Sequence, residues 1–163
     1  MRFKDFFKES YSYQRVGETD RDVTYEFTSG SHVYNVLFEN SGQYGWEMMF
    51  GLKTDDGMDT KILTNSPQEV TKVLNTIFED ILKDFIQLSL SYENSIDIIL
   101  APQRLDNEAP NMDPFNTKRG RVYVKKIKDS LKHNQDLNVE FVHSPFAPPS
   151  IIMKISKKEN HEI

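Results

Sequence analysis

Apolar and polar residues alternate in three short runs: Val23, Tyr25 and Phe27; Tyr34, Val36 and Phe38; then Trp46, Met48, Phe50 and Leu52. A period of two sends successive side chains to opposite faces of a strand. Each run therefore predicts a half-buried β-strand with an aromatic inner face. Ser29-Gly30-Ser31 and Asn40-Ser41-Gly42 supply the turn residues that join such strands, so the three form a meander. Asp55-Asp56-Gly57 is a further turn, and Thr60 to Leu63 predicts a short fourth strand.

The period then changes. Val70, Val73, Leu74, Ile77, Ile81, Leu82, Phe85 and Ile86 make a broad stripe of helical spacing that ends near Leu88. Ser66-Pro67-Gln68-Glu69 writes out its start: serine and glutamate as a capping box, proline at the first helical position. Such a helix belongs across the back of the sheet. Ile96, Ile98, Ile99 and Leu100 form a continuous apolar run that stops at Ala101-Pro102. This predicts a central strand buried on both faces. Gln103 to Pro114 holds two prolines, two asparagines and three acids, the composition of an irregular loop. A second main helix follows from about Thr117 to Lys132, with Tyr123, Val124, Ile127 and Leu131 inward. Asn138–His143 and Ile151–Ile155 complete the strands, joined by a stiff proline-rich connector. Before the meander, Phe3, Phe6, Phe7 and Tyr11 predict an amphipathic helix over residues 2–12, and Val16 to Asp22 reads as a polar loop. The tail from Ser156 to Ile163 is polar and expected to fray.

Length and composition narrow this. A chain of 163 residues is the size of one domain, and no internal boundary interrupts it. With no cysteine, disulfides, thiolate zinc sites and a cysteine nucleophile are excluded. No apolar run approaches the ~20 residues of a membrane-spanning helix. The net charge is −5, but Asn116 to His133 carries seven basic residues against one acid, so the remainder stands at −11. An acidic domain with one concentrated basic helix is the electrostatic signature of the chain.

Candidate chemistry is sparse. His32, His133, His143 and His161 have no histidine neighbour at ligand spacing, so no metal site is expected. No Gly-x-Ser-x-Gly, P-loop or Gly-x-Gly-x-x-Gly occurs. The basic helix stands out instead. Lys118, Arg119, Arg121, Lys125, Lys126, Lys128 and Lys132 crowd its exposed sides, and Lys118, Arg121, Lys125, Lys128 and Lys132 advance by threes and fours along one stripe. Aromatic residues are not interleaved there, which favours an acidic protein partner over nucleic acid. The cations at Lys118 to Arg121 oppose the helix dipole, a mild cost that a bound anion there would relieve.

From Thr60 to about Leu131 the chain resembles a family of small proteins encoded by tailed bacteriophages. The shared features are Ser66-Pro67-Gln68-Glu69-Val70, Val73-Leu74-Asn75-Thr76-Ile77, the Asp97-Ile98-Ile99-Leu100-Ala101 strand and Arg121-x-Tyr123. The order meander, helix, strand, helix, strand, strand is also similar to the later part of the GNAT acetyltransferase fold. That resemblance implies acetyl-CoA pyrophosphate on backbone amides at Asn65, Ser66, Pro67 and Gln68, and Tyr123 as general acid. The glycines of that family are absent at these positions, Pro67 removes one donor, and no helical pair separates the first strands.

The expectation is a single α+β domain over 1–163, an antiparallel meander covered by two main helices, in the order α-β-β-β-(β)-α-β-α-β-β. It is expected to bind an acidic protein through Lys118, Arg119, Arg121, Lys125, Lys128 and Lys132, with the Gln103–Pro114 loop beside them. It needs no cofactor or metal and works in the host cytoplasm. The alternatives are an acetyl-CoA-dependent N-acetyltransferase using Tyr123, and a virion component associating through Phe146.

Overall fold

A computed structural model of the chain describes residues 10–60, 67–144 and 149–158. The three alternating runs become β2 (Asp22–Ser29), β3 (His32–Asn40) and β4 (Trp46–Thr54), an antiparallel meander in continuous register. A strand precedes them that the pattern did not predict: β1 (Tyr13–Glu18), antiparallel to β2. Of the polar stretch expected to loop, Val16 to Glu18 belong to this edge strand and Asp22 opens β2, leaving Thr19–Arg21 as the turn between them. Its alternation was hidden because an edge strand buries little. Most of the helix expected over residues 2–12 lies outside the described residues, although Tyr11 stacks on Phe27 at 5.9 Å. A short strand β5 (Gly57–Asp59) pairs with β4 directly after the Asp55-Asp56 turn, while most of the strand expected over Thr60 to Leu63 lies outside the described residues.

The helical stripe is realised as α1 (Pro67–Asn75), a π-helical stretch (Thr76–Ile81) and α2 (Leu82–Leu90). The π stretch was not anticipated. At its start the buried Thr76 hydroxyl bonds back to the carbonyl of Lys72 at 2.8 Å and accepts the amide of Tyr11 at 2.7 Å. A side chain competing for backbone groups is a recognised cause of such irregularity. Ser66, the expected cap, lies outside the described residues. Glu69 accepts a hydrogen bond from Ser29, which ties the helix to the β2–β3 hairpin.

After β6 (Ser95–Leu100), helix α3 (Lys118–Leu131) leads to β7 (Leu137–His143) and β8 (Ile151–Lys157). The eight strands form one sheet in the order β1-β2-β3-β4-β6-β8-β7, with β5 on β4. Every pairing is antiparallel except that of β4 with β6, where Trp46 to Met48 lie beside Ile98 to Leu100. This junction demands a glycine. Gly45 has φ of 102°, and a Cβ there would sit 2.5 Å from the carbonyl oxygen of Asp97. Beyond the junction β4 continues to Thr54 while the other chain turns away at Pro102.

The fold is α+β, with a mostly antiparallel open sheet. Both helical layers lie on one face: Phe85 stacks on Phe38 at 3.8 Å, Phe78 meets Phe50 edge-on at 5.5 Å, and Tyr123 also meets Phe50. The expectation that β6 is buried on both faces fails for this reason. Ile96, Ile98 and Leu100 are buried, while Asp97 and Ile99 on the other face are half-buried. The tail is also longer in strand than expected, since Ser156 and Lys157 pair with β7.

Edge strand β1 is fastened to α2 by Asp84. It accepts from the Arg15 guanidinium at 2.8 Å and the Tyr25 hydroxyl at 2.6 Å. Burial alone would raise the Asp84 carboxyl; the bonds from Arg15 and Tyr25 outweigh it and hold the group below its ordinary value. Its contribution to stability is therefore complete above the unfolded carboxylate pKa of about 3.9 and is lost as pH falls through the lower folded value. The pair is about one-third exposed, so Asp84→Asn should cost only about 1 kcal/mol at pH 7. Urea midpoints of D84N and the parent protein should draw together as pH drops below about 4. A constant gap across that range would contradict this role.

Candidate interaction surface on the basic helix

Helix α3 starts where Thr117 leaves the extended region, and its Oγ1 accepts from the amide of Gly120 at 3.0 Å. The same hydroxyl donates to the carbonyl of Pro114 at 2.9 Å, joining loop to helix. Gly120 makes this closeness possible: a Cβ there would sit 1.8 Å from the Pro114 oxygen. The 103–116 loop has its own ties. The Arg104 guanidinium donates to the Met112 carbonyl at 2.6 Å, and the amide of Phe115 donates to Asp113 at 2.9 Å. His143 Nε2 lies 3.0 Å from Asp113 Oδ1 and its ring rests on Phe115.

A carboxylate of the chain itself, Glu108, stands at the start of this helix. Glu108 accepts from the backbone amides of Leu105 at 2.8 Å and Lys118 at 2.9 Å. These two bonds, first Leu105 and then Lys118, hold its carboxyl below the ordinary range, with Arg104 and Arg121 adding to the effect. A carboxylate at a helix N-terminus meets the unpaired amides and the positive end of the dipole together. It offsets the cost of placing cations in the first turn.

The inner row of α3 is Tyr123, Ile127 and Leu131, all buried. Tyr123 packs 5.0 Å from Phe78 and 5.4 Å from Phe50, and Ser130 Oγ donates to the carbonyl of Phe78 at 3.3 Å. The helix is thus seated on the π stretch. With that side inward, Lys118, Arg121, Lys125, Lys128 and Lys132 are exposed, and none forms an ion pair among the described residues. Lys128 lies 5.4 Å over the ring of Phe141. Over the 14-residue rise from first to last, the row spans about 21 Å.

Two of the seven cations depart from expectation. Arg119 is half-buried and reaches the carbonyl of Thr60 at 3.5 Å, while half-buried Lys126 donates to Asn75 Oδ1. Both sit on the flank between inner and outer rows, close enough to the neighbouring elements to find an acceptor.

The positions implied by the acetyltransferase resemblance are not brought into view. Asn65 and Ser66 lie outside the described residues, as does Phe146, and the Gln68 side chain is not described. Tyr123 is; burial pushes its hydroxyl up to about 12.

No family model, curated protein or solved structure matches this chain. Its residues must speak for themselves. Among the described residues no three His, Asp or Glu side chains are grouped to hold a metal ion. Nor is any helix there long and apolar enough to cross a membrane. Ser29, buried at the hairpin, donates to Glu69, and His32 Nδ1 approaches that same carboxylate at 3.9 Å. The Tyr11 hydroxyl lies 2.7 Å from the same serine, so these contacts tie the hairpin to the first helix.

Glu108 and Gly120 were not singled out from sequence. Thr117 ahead of a run of helical spacing was the available signal for a cap, but only the fold reveals which carboxylate arrives there. Gly120→Ala should be among the more damaging small substitutions, costing about 2 kcal/mol or more through overpacking. Thermal melts would show a clearly lowered Tm, and an unchanged Tm would mean that loop and helix are not in this contact.

Proposed function

We propose that this chain is a non-catalytic binding protein that takes an acidic protein surface against the outer row of α3. The observation that carries the reading is five exposed cations, without ion pairs among the described residues, on a helix whose opposite side is anchored in the core. A rigid, pre-positioned row loses little order on binding, and like charges left unpaired favour an acidic partner. Glu108 at the head of the row illustrates the chemistry, a carboxylate held by a backbone amide and nearby guanidinium groups. Nucleic acid is the weaker fit, because the aromatic residue of this helix, Tyr123, faces inward and leaves no stacking platform outside. The resemblance over residues 60–131 supports a role as an accessory protein of a tailed bacteriophage acting in host cytoplasm. The absence of cysteine suits that compartment.

A second reading, an acetyl-CoA-dependent N-acetyltransferase, has one specific support. The sheet contains one parallel pair among the described residues, β4 with β6, with α1 and α2 between the two strands in the chain. Tyr123 would remain protonated at neutral pH, as a general acid must. Against it stand the turn in place of a helical pair between β1 and β2, and a proline at the start of α1.

The two readings separate experimentally. Reversing Arg121, Lys125 and Lys128 to Glu should leave the melting curve nearly unchanged and abolish capture of the partner that the parent protein recovers. Equal recovery by the variant would remove the helix as the contact surface. Titration calorimetry with acetyl-CoA should give no heat and no thermal shift; saturable binding would favour the enzyme.

A further inference from the structure

A cavity lies away from the outer row of α3, where the ends of β1, β3 and α2 meet the beginnings of β2, β4 and β6. Its volume is about 570 Å³, within the range of small-molecule sites. Its wall combines aromatic Trp46, Phe85 and Tyr92 with aliphatic Val23, Leu88 and Ile96. Trp46, half-buried, stands edge-on to Phe85 at 5.2 Å, and Tyr92 contributes a ring that is 81% exposed. Open Tyr92 and half-buried Trp46 leave aromatic surface available to a ligand, while Phe85 is covered by Phe38.

Charge around this cavity has one sign. Glu18, Asp20 and Glu93 line it, and among the described residues no lysine, arginine or histidine does. Glu18 is 3.4 Å from Arg15, whereas Asp20 and Glu93 are exposed and form no ion pair among the described residues. The last turn of α2 also contributes, through Leu88 and Ser89. A helix C-terminus presents the negative end of its dipole. Aromatic faces attract cations through their quadrupole, by about 0.5–2 kcal/mol according to desolvation. Wall, rim and helix end thus favour the same ligand charge, while the apolar wall requires a ligand with an apolar body.

We propose that this cavity binds an organic ammonium ion, with its cationic head among Asp20, Glu93 and Tyr92 and its apolar body against Trp46 and Leu88. The site is independent of the basic helix and of any partner bound there.

Trp46 is the chain's one tryptophan, so its emission reports on this cavity directly. The probe is benzyltrimethylammonium, with benzyl alcohol as the neutral comparison. The expected result is a saturable change in tryptophan emission with the cation and binding at least about tenfold weaker for the alcohol, roughly 1.4 kcal/mol. The double variant Asp20→Asn/Glu93→Gln should weaken cation binding by about tenfold, and Tyr92→Ala should weaken it further. All three residues are exposed, and an unchanged circular dichroism melt confirms that each variant is folded. A linear, non-saturating response to the cation would overturn the proposal. So would equal affinity for the alcohol, or unaltered binding by the folded double variant.

Discussion

Everything in this molecule hangs on one stack of aromatic rings. Phe38 from the middle of the meander and Phe85 from α2 lie face to face at 3.8 Å, 7° from parallel, both buried. Around them Tyr25, Trp46, Phe50 and Phe78 complete the contact in edge-on pairs. Each such ring removes a large apolar area from water, about 2–3 kcal/mol apiece before losses in order are counted. Period two on the strands and the helical stripe are two halves of this one contact. Once it forms, the long helix has only one face to offer, and the π stretch becomes the seat for α3.

The placement of charge follows from that seating. Tyr123, Ile127 and Leu131 must enter the core, which turns Lys118, Arg121, Lys125, Lys128 and Lys132 outward as a row. The acids gather elsewhere, notably around the cavity at the end of α2. Separating charges in this way gives one small domain two surfaces of opposite preference: a row of cations on a helix, and an aromatic cavity with a carboxylate rim. Neither surface is a by-product of the other. The row depends on how α3 packs; the cavity depends on where α2 stops.

Much of this was written plainly in the chain, and the parts that were not share a cause. Strong periodicity marked β2 to β4, the Pro67–Leu90 helical segment and α3, because each buries a continuous side. β1 went unpredicted, with its second half read as loop, because an edge strand of Tyr13, Gln14, Arg15, Val16, Gly17 and Glu18 has little apolar face to display. The π stretch depends on Thr76 meeting the amide of Tyr11, a contact 65 residues apart in the chain. The same holds for Glu108 at the head of α3 and for the close approach of Gly120 to Pro114. The stripe of cations was legible residue by residue, yet Arg119 and Lys126 find acceptors that only the neighbouring elements provide. The cavity escaped notice altogether, since its walls come from several separate segments and no local motif announces them.

The most direct check on the layout uses the absence of native cysteine. Single replacements Lys125→Cys and Ile127→Cys place one thiol on each side of α3, and their reaction with a thiol reagent can be timed under native conditions. The Lys125→Cys thiol should react at nearly the rate of a free thiol, and the Ile127→Cys thiol on the order of a hundredfold more slowly, a protection that urea removes. Equal rates, or a faster reaction at 127, would mean that the inner row is not in the core. The cationic row would then have no fixed place on the surface.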